Sequence, residues 1–358
     1  MKSSFGFHKP IENEPVSVPL KKAVRLHPMR NTIMRNLLFL VCLSMALMGC
    51  SIASQRYSTT EKSSMTNASP TFSMIEKKRW AHGSKDCETN DSTPLDILKL
   101  DSQTFILRQN KCDTFEAPFM YLLLGADKAL LFDTGAIEDP NISPVAIQVD
   151  RLIQQYSSNP ALTLIVLHSH GHADHKAGDV QFMDKNSVTV ASSDVKKAAI
   201  TLGFNSGFSE TQTMELGNRE ISIIPTPGHH ADAITIYDEK HKLLLTGDTL
   251  YPGLIYVKNW DAYKESVSLL YTFSEKNDVA AVLGGHIEMS REPFVLYPIG
   301  SSYQPNELPI PLQKQDIDIL HKALKEESEP KMMEFKKITV QPMNWFQRTL
   351  SNIFSLFF

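Results

Sequence analysis

The fold follows from the stretch His168-Ser169-His170-Gly171-His172-Ala173-Asp174-His175, which holds four histidines and one aspartate in eight residues. An apolar run, residues 162–167, precedes it directly and is typical of a buried strand. Neutral imidazole and carboxylate groups are ligands that zinc and similar ions accept. Because a turn at a strand end aims alternate side chains into one cleft, we predict a metal site here. A polar loop with scattered histidines is the alternative.

Short apolar runs separated by turn signals surround this stretch on both sides. Gly125 to Lys128 has the composition of a hairpin turn between two of them. Two sheets with helices on their outer faces would bury such runs, which favours an α/β fold. The predicted strands are residues 105–107, 120–124, 129–132, 162–167, 221–224, 233–237, 242–245 and 279–283, and the predicted helices are residues 145–156, 262–274 and 317–324.

Four motifs in this order resemble those of the metallo-β-lactamase superfamily over residues 100–290. They are His170-x-His172-x-Asp174-His175, Pro225-Thr226-Pro227-Gly228-His229, Gly247-Asp248-Thr249 and Gly284-Gly285-His286. The resemblance implies the fold of that family, an αββα sandwich of two mixed β-sheets flanked by helices. Leu131-Phe132-Asp133-Thr134-Gly135 is similar to an early motif of the family whose aspartate supports the metal shell without being a ligand.

The resemblance also implies seven ligands for two metal ions per chain. The ligands are His170, His172 and His229 for one ion, Asp174, His175 and His286 for the other, and Asp248 as the bridge between them. Zn²⁺ is the expected metal, since His172 stands where flavodiiron relatives carry a glutamate, and Fe or Mn at one position stays open. His168 and His230 are expected to be non-ligands that line the cleft.

The ligand set implies a hydrolase in which a hydroxide bridging the two ions attacks a small-molecule carbonyl substrate. Asp174 is the expected catalytic residue, orienting the hydroxide and later moving its proton. Asp248 is similar to the bridging aspartate of glyoxalase II thioesterases, lactonases and esterases, whereas true β-lactamases place cysteine or serine near that position. Hydrolysis of a β-lactam, a phosphodiester or a sulfate ester is the alternative. Tyr251 and Tyr256 either donate to the reacting group or pack the cleft wall.

Charge and cysteine content limit the partners and the compartment. A formal net charge of -4, with no basic stripe, argues against nucleic acid as a partner. The sequence gives no indication of the oligomeric state. Cys87 and Cys112 either form one disulfide or remain two buried thiols, and we favour the disulfide.

Residues 1–50 are typical of an export signal. Basic residues precede a short apolar run from Leu37 to Met48, and Leu47-Met48-Gly49-Cys50 resembles the lipobox of bacterial lipoproteins. This predicts a lipid anchor at Cys50 and an exported protein, and Ser51 favours the outer membrane. An uncleaved signal anchor in the inner membrane is the alternative.

The remaining chain divides into three predicted segments. Residues 51–78 have the composition of a flexible linker. Residues 79–300 form the hydrolase domain, and residues 301–358 a helical and apolar tail. The last part of that tail, residues 345–358, either lies on a bilayer surface as an amphipathic segment or packs on the body of the enzyme.

Overall fold

A computed structural model describes residues 54–57, 69–183, 185–204 and 210–354, so the predicted export signal lies outside the described residues. The strands are β1 (Gln55–Arg56), β2 (Leu95–Asp101), β3 (Thr104–Gln109), β4 (Phe119–Leu124), β5 (Lys128–Phe132), β6 (Thr163–Leu167), β7 (Val188–Val190), β8 (Gln212–Glu215), β9 (Glu220–Pro225), β10 (Ile234–Asp238), β11 (Leu243–Gly247), β12 (Leu254–Val257), β13 (Ala281–Gly284), β14 (Met333–Glu334) and β15 (Thr339–Pro342). The helices are α1 (Pro70–Lys77), α2 (Val145–Tyr156), α3 (Ala173–Lys176), α4 (Val195–Thr201), α5 (Trp260–Lys276), α6 (Lys314–Glu326) and α7 (Trp345–Phe354), with a 3₁₀ turn at Ala177–Gln181.

Two mixed sheets form the centre of the fold. The first has the order β2-β3-β4-β5-β6-β7, antiparallel up to β5 and parallel from β5 to β7. The second has the order β13-β11-β10-β9-β8, in which β13 and β11 are parallel and the other pairs are antiparallel. Gly125 donates its amide to the Lys128 carbonyl and closes the predicted hairpin between β4 and β5.

Alternating side chains hold the sheets together. Tyr121 and Leu123 of β4 belong to an apolar core that also contains Ile223 and Ile236 of the second sheet. Because successive side chains point to opposite faces of a strand, Leu122 lies in the separate core beneath α2 instead. Helices α5 and α6 cover the outer face of the second sheet through a third core. The layers are therefore helix, sheet, sheet, helix, and the predicted αββα sandwich is confirmed.

The residues predicted to form a helical and apolar C-terminal tail, 301–358, pack in part against the rest of the fold. Helix α6 buries Ile317, Leu320 and Leu324 against the second sheet, at the three- to four-residue spacing of one helix face. Strand β15 pairs with β12 in a small sheet of order β1-β14-β15-β12. Residues 314–342 are thus part of the main body of the fold.

The predicted linker, residues 51–78, contains two short elements in the structure. Within its range, α1 is capped by the Ser69 hydroxyl and buries Phe72 and Ile75 in the core between the sheets. Strand β1 pairs with β14. The polar composition of residues 51–78 hid these two short elements, because only a few apolar side chains anchor them.

Two further features concern the chain's environment. Cys87 and Cys112 form a disulfide, which confirms the favoured alternative. Among the described helices, none is both long enough and apolar enough to cross a bilayer.

Candidate metal centre

The seven predicted ligands lie at one edge of the sandwich. Strands β5, β6, β9, β11 and β13 all end there, and each is followed by polar residues of the site. Two clusters of possible metal-binding atoms result, each with its atoms within 4.8 Å of one another. The first contains His170, His172, His229 and Asp248, and the second contains Asp174, His175, Asp248 and His286. The structure thus brings all seven residues together, while their binding of metal stays a prediction.

The first cluster joins the turn after β6 to the loop after β9. His172 presents Nδ1 at 2.8 Å from His170 Nε2 and 3.1 Å from His229 Nε2. Asp248 Oδ2 lies 3.6 Å from His229 Nε2 and 3.9 Å from His170 Nε2. Three imidazole nitrogens and one carboxylate oxygen therefore surround one point.

The second cluster uses the start of α3 and the turns after β11 and β13. Asp174 Oδ2 lies 3.3 Å from His175 Nε2 and 3.2 Å from His286 Nε2. Asp248 Oδ1 is 3.4 Å from each of the same two nitrogens, which are 3.2 Å apart. Two oxygens and two nitrogens face one another across a short gap.

Asp248 divides its carboxylate between the clusters, with Oδ2 towards the first and Oδ1 towards the second. Oδ1 is buried and has no hydrogen-bond partner among the described residues. A buried acceptor without a donor costs stability unless a cation or water satisfies it. The arrangement fits a carboxylate that bridges two metal ions.

Hydrogen bonds on the outer side of the rings fix how three of the histidines point. His229 Nδ1 donates to the Tyr256 carbonyl at 2.8 Å, and His286 Nδ1 donates to the Glu116 carbonyl at 3.0 Å. A carbonyl only accepts, so each Nδ1 carries a proton and Nε2 is the ring atom that faces the cluster. His175 Nδ1 lies 2.8 Å from Asp133 Oδ2 in the same role. Such outer partners are what metal-binding histidines commonly have.

Asp133 is positioned by an unusual backbone. Its φ of 69° is in the left-handed region, which a residue other than glycine adopts at a cost. The conformation aims one carboxylate oxygen at His175 and the other at the Ser169 amide, 2.6 Å away. Asp133 thus links the end of β5 to the turn after β6. Among the described residues, it acts on the second cluster through His175.

The donor set and its spacing fit zinc. Zinc bonds of 2.0–2.1 Å in a tetrahedron place neighbouring ligand atoms about 3.3 Å apart. The ligand-to-ligand distances in the second cluster are 3.2 to 3.4 Å, and those in the first are 2.8 to 3.9 Å. Gly285 makes this approach possible, because a Cβ there would lie 2.6 Å from Asp248 Oδ1.

Without metal, the two clusters differ in how they hold protons. Burial, followed by the neighbouring His229, lowers the pKa of His172 to about 3, so this imidazole is neutral. Burial also lowers the pKa of His286, but the Asp248 and Asp174 carboxylates outweigh it and raise the pKa to about 9. The pKa of His175 is raised in the same way, chiefly by Asp174. The second cluster therefore holds protons that a metal ion must displace.

Two glutamates near the second cluster were missed by the sequence analysis. Burial and then the charge of Asp174 raise the pKa of Glu116 to about 8. Burial also raises the pKa of Glu288, which accepts the Leu254 amide at 2.9 Å. Neither residue belongs to a recognisable spacing, and only the folded chain brings them to the site.

The two histidines predicted to be non-ligands stand outside both clusters. His168 is buried and its Nε2 lies 2.8 Å from Asp179 Oδ1, so it holds the turn and does not line a cleft. His230 packs its ring 5.0 Å from that of His172, and its Nδ1 accepts the Asp232 amide. Burial lowers the pKa of His230 to about 4.

Of the two predicted tyrosines, Tyr251 is a wall residue. It is buried, and its hydroxyl donates to the Leu254 carbonyl at 2.6 Å. Its ring lies 5.6 Å from that of His286. Tyr256 contributes its backbone carbonyl to His229, as described above.

A cavity of about 720 Å³ lies against the loop that carries His229. Its lining includes Gly228, Lys258, Trp260, Glu329 and Arg348. This cavity is thus lined by residues of the loop that carries His229, of the start of α5 and of α7.

Comparison with known proteins shows similarity to one protein family and to several hydrolases. The family model described as "Metallo-beta-lactamase superfamily" matches residues 113–286. A hydroxyacylglutathione hydrolase of Chelativorans sp. (strain BNC1) is 32% identical over 99 residues, which cover 28% of this chain and 37% of the relative. The acyl-coenzyme A thioesterase MBLAC2 of Gallus gallus is 31% identical over 84 residues, covering 22% and 30%. The matches thus span roughly a third of these relatives' own length.

Among solved structures, a metallo-beta-lactamase from Pontibacter korlensis is similar with a TM-score of 0.43 and 16% identity. The alignment covers 65% of this chain and 100% of that one.

Proposed function

Residues 113–286 match the family model described as "Metallo-beta-lactamase superfamily", and on that premise we propose that the chain is a binuclear zinc hydrolase of carbonyl substrates. The observation that carries the proposal is the division of the Asp248 carboxylate between two clusters of ligand atoms. Oδ1 is buried and has no hydrogen-bond partner among the described residues, so a bound cation would stabilise it. We name zinc because five of the seven ligands are histidines.

Thioesters are the substrates that we favour, followed by lactones and simple esters. The relatives named above are a hydroxyacylglutathione hydrolase and an acyl-coenzyme A thioesterase. Since the chain matches only part of each relative, their activities support the choice without fixing the acyl group.

The roles of the residues follow from their positions. When bound, two zinc ions supply a Lewis acid and lower the pKa of a water molecule. Asp174 has a side chain that is 21% exposed, against 8% for Asp248, so Asp174 is the carboxylate that faces the cleft. We assign Asp174 to orient the attacking water, accept its proton and pass the proton to the leaving group. Asp133 keeps His175 in the orientation that the site needs.

The test is hydrolysis by the zinc-loaded protein of four compounds: a thioester, a lactone, a simple ester and a β-lactam. We expect turnover of one of the first three, and its loss in Asp248→Ala. Dominant β-lactam cleavage would replace the substrate assignment. Silence on all four would shift the assignment to phosphodiesters or sulfate esters.

We also propose that the protein is exported and anchored to the outer membrane through Cys50. The lipobox-like sequence supports this, and so does the disulfide between Cys87 and Cys112, since disulfides persist in oxidising compartments. Radiolabelled palmitate should label the wild-type chain and not Cys50→Ala. Equal labelling of both would contradict the anchor.

A further inference from the structure

Helix α7 presents a large apolar side chain to solvent at its first residue. Trp345 is 72% exposed, whereas the other two tryptophans of the chain, Trp80 and Trp260, are 3% and 7% exposed. The Phe346 ring lies beside it, with centroids 5.9 Å apart. Arg348 is the only charged residue of the helix. Aromatic residues next to a basic one are typical of helices that lie at a lipid interface.

The small sheet determines where α7 begins relative to the N-terminal segment. Gln55 of β1 pairs in parallel with Met333 of β14, and Met333 pairs in antiparallel with Val340 of β15. The chain that enters β1 and the chain that leaves β15 are therefore at the same end of this sheet. Neighbouring strands are about 4.8 Å apart, so Gln55 and Val340 are roughly 10 Å apart.

Chain length then restricts where the proposed anchor can lie. Cys50 precedes Gln55 by five residues, and an extended chain spans at most about 3.6 Å per residue, or roughly 18 Å. Trp345 follows Val340 by the same number of residues. A bilayer that holds Cys50 is thus within reach of the end of the sheet from which α7 starts.

We propose that α7 lies on the surface of the lipid bilayer to which Cys50 is anchored. Trp345 and Phe346 enter the headgroup region, and Arg348 faces anionic headgroups. The inference rests on the proposed anchor and is independent of the substrate. It accounts for an exposed indole ring five residues beyond the end of the sheet at which the anchored segment enters.

The contact would also orient the catalytic part of the enzyme. Arg348 of α7 and Gly228, the neighbour of His229, line the same cavity of about 720 Å³. A helix held flat on the bilayer would therefore keep the cavity beside the His229 loop in a constant orientation to the lipid surface. The acyl anchor alone would leave the body free to rotate.

The fluorescence of Trp345 reports directly on the environment of α7 and provides the test. The full-length lipidated protein is reconstituted into vesicles of phosphatidylethanolamine and phosphatidylglycerol, with and without bromine on the lipid acyl chains. We expect brominated lipid to quench a component of the tryptophan emission that is absent from Trp345→Phe. Iodide in the aqueous phase should quench that component much less in vesicles than in detergent.

Two results would overturn the proposal. One is a Trp345 component that iodide quenches and brominated lipid does not, which would leave α7 in water. The other is protection from both quenchers, which would mean that a second copy or another protein surface covers the helix. Mass spectrometry of the same sample checks the acyl group on Cys50, and its absence overturns the premise as well.

A paired variant separates the helix face from the probe. Phe346→Gln combined with Leu350→Gln alters two residues four apart on one face of α7 while keeping Trp345. We expect quenching by brominated lipid to fall several-fold in this variant, with zinc content unchanged as the measure of folding. Unchanged quenching would contradict a role for this face.

Discussion

Two buried clusters of polar residues lie at opposite ends of the strands of the same two sheets. They differ in how their charges are satisfied. At the edge away from the metal centre, Arg219 and Asp238 form a twofold ion pair at 2.8 and 2.7 Å. Arg219 also donates to the carbonyls of Gln103 and Leu124 and to the Thr104 hydroxyl. Every charge there has its partner within the chain.

The metal edge is built from the same kinds of strand ends, but its buried carboxylate is not satisfied by an ion pair of this kind. Two carboxylates and five imidazoles direct oxygen and nitrogen atoms at one another, and Asp248 Oδ1 has no hydrogen-bond partner among the described residues. The comparison teaches that burial of charge alone does not mark a functional site. A polar cluster marks one when its remaining partner has to be a cation from outside.

Among the substitutions that test this comparison, the largest effect is expected at Asp248. Asp248→Ala removes the bridge and is expected to lower kcat/KM by about 10³-fold, since metal ions supply several kcal/mol and 1.36 kcal/mol is tenfold. The fold should persist, because the variant relieves a buried unpaired acceptor. Steady-state kinetics and far-UV circular dichroism measure the two. Activity within tenfold of wild type would contradict the bridge.

Arg219→Met is the matched change at the other edge. It leaves the buried Asp238 carboxylate without its cation and is expected to lower the free energy of unfolding by about 3–5 kcal/mol. Zinc content and kcat of the folded fraction should stay at wild-type values, since no ligand contacts Arg219. Urea unfolding and metal analysis measure these. Loss of zinc at full folding would show that the two edges are coupled.

A smaller effect is expected at Asp133, which supports the site without entering a cluster. Asp133→Asn weakens the hydrogen bond to His175, and loss of such a partner lowers metal affinity by roughly 10- to 100-fold. The second ion should be affected more than the first. Competition with a chelator of known affinity measures both, and equal weakening of the two ions would contradict the assignment of Asp133 to His175.

The smallest effect is a dependence of stability on pH that is stronger in the metal-free protein. Because the Asp248 and Asp174 carboxylates outweigh burial and raise the pKa of His286 from 6.5 to about 9, the folded chain holds a proton that the unfolded chain loses. This contribution is complete below about pH 6.5 and is lost as pH rises through about 9.

The raised pKa of Glu116 adds to the same decline, since the folded state loses stability when this buried carboxyl group ionises. Urea midpoints between pH 6 and 10 measure the effect in chelated and zinc-loaded protein. The zinc-loaded protein should lose the part of the decline that comes from His286, because His286 then carries no proton, and should keep only the part that comes from the buried Glu116. The same slope in both would contradict metal binding by His286.

Much of this site was predictable because its ligands occur in ordered local motifs. Strand β6 and the turn from His168 to His175 are contiguous, so an apolar run and its following residues predicted both strand and cluster. Helix α2 was predicted at its observed bounds, since its apolar residues recur at helical spacing.

The parts that escaped prediction depend on long-range pairing. Strand β15 pairs with β12, and α6 shares a core with the second sheet, and no local pattern predicts either partner. Glu116 and Glu288 likewise reach the second cluster only through folding. The left-handed backbone of Asp133 has no sequence signal apart from the family motif.

The central claim is that the chain binds two metal ions through a shared carboxylate, and metal stoichiometry tests it most directly. Chelated protein is titrated with Zn²⁺ and its uptake followed by calorimetry, with Arg219→Met and Asp248→Ala alongside. The account predicts two ions per chain for wild type and Arg219→Met, and fewer than two for Asp248→Ala. Saturation of the wild type at one ion or none, or two ions in Asp248→Ala, would contradict it.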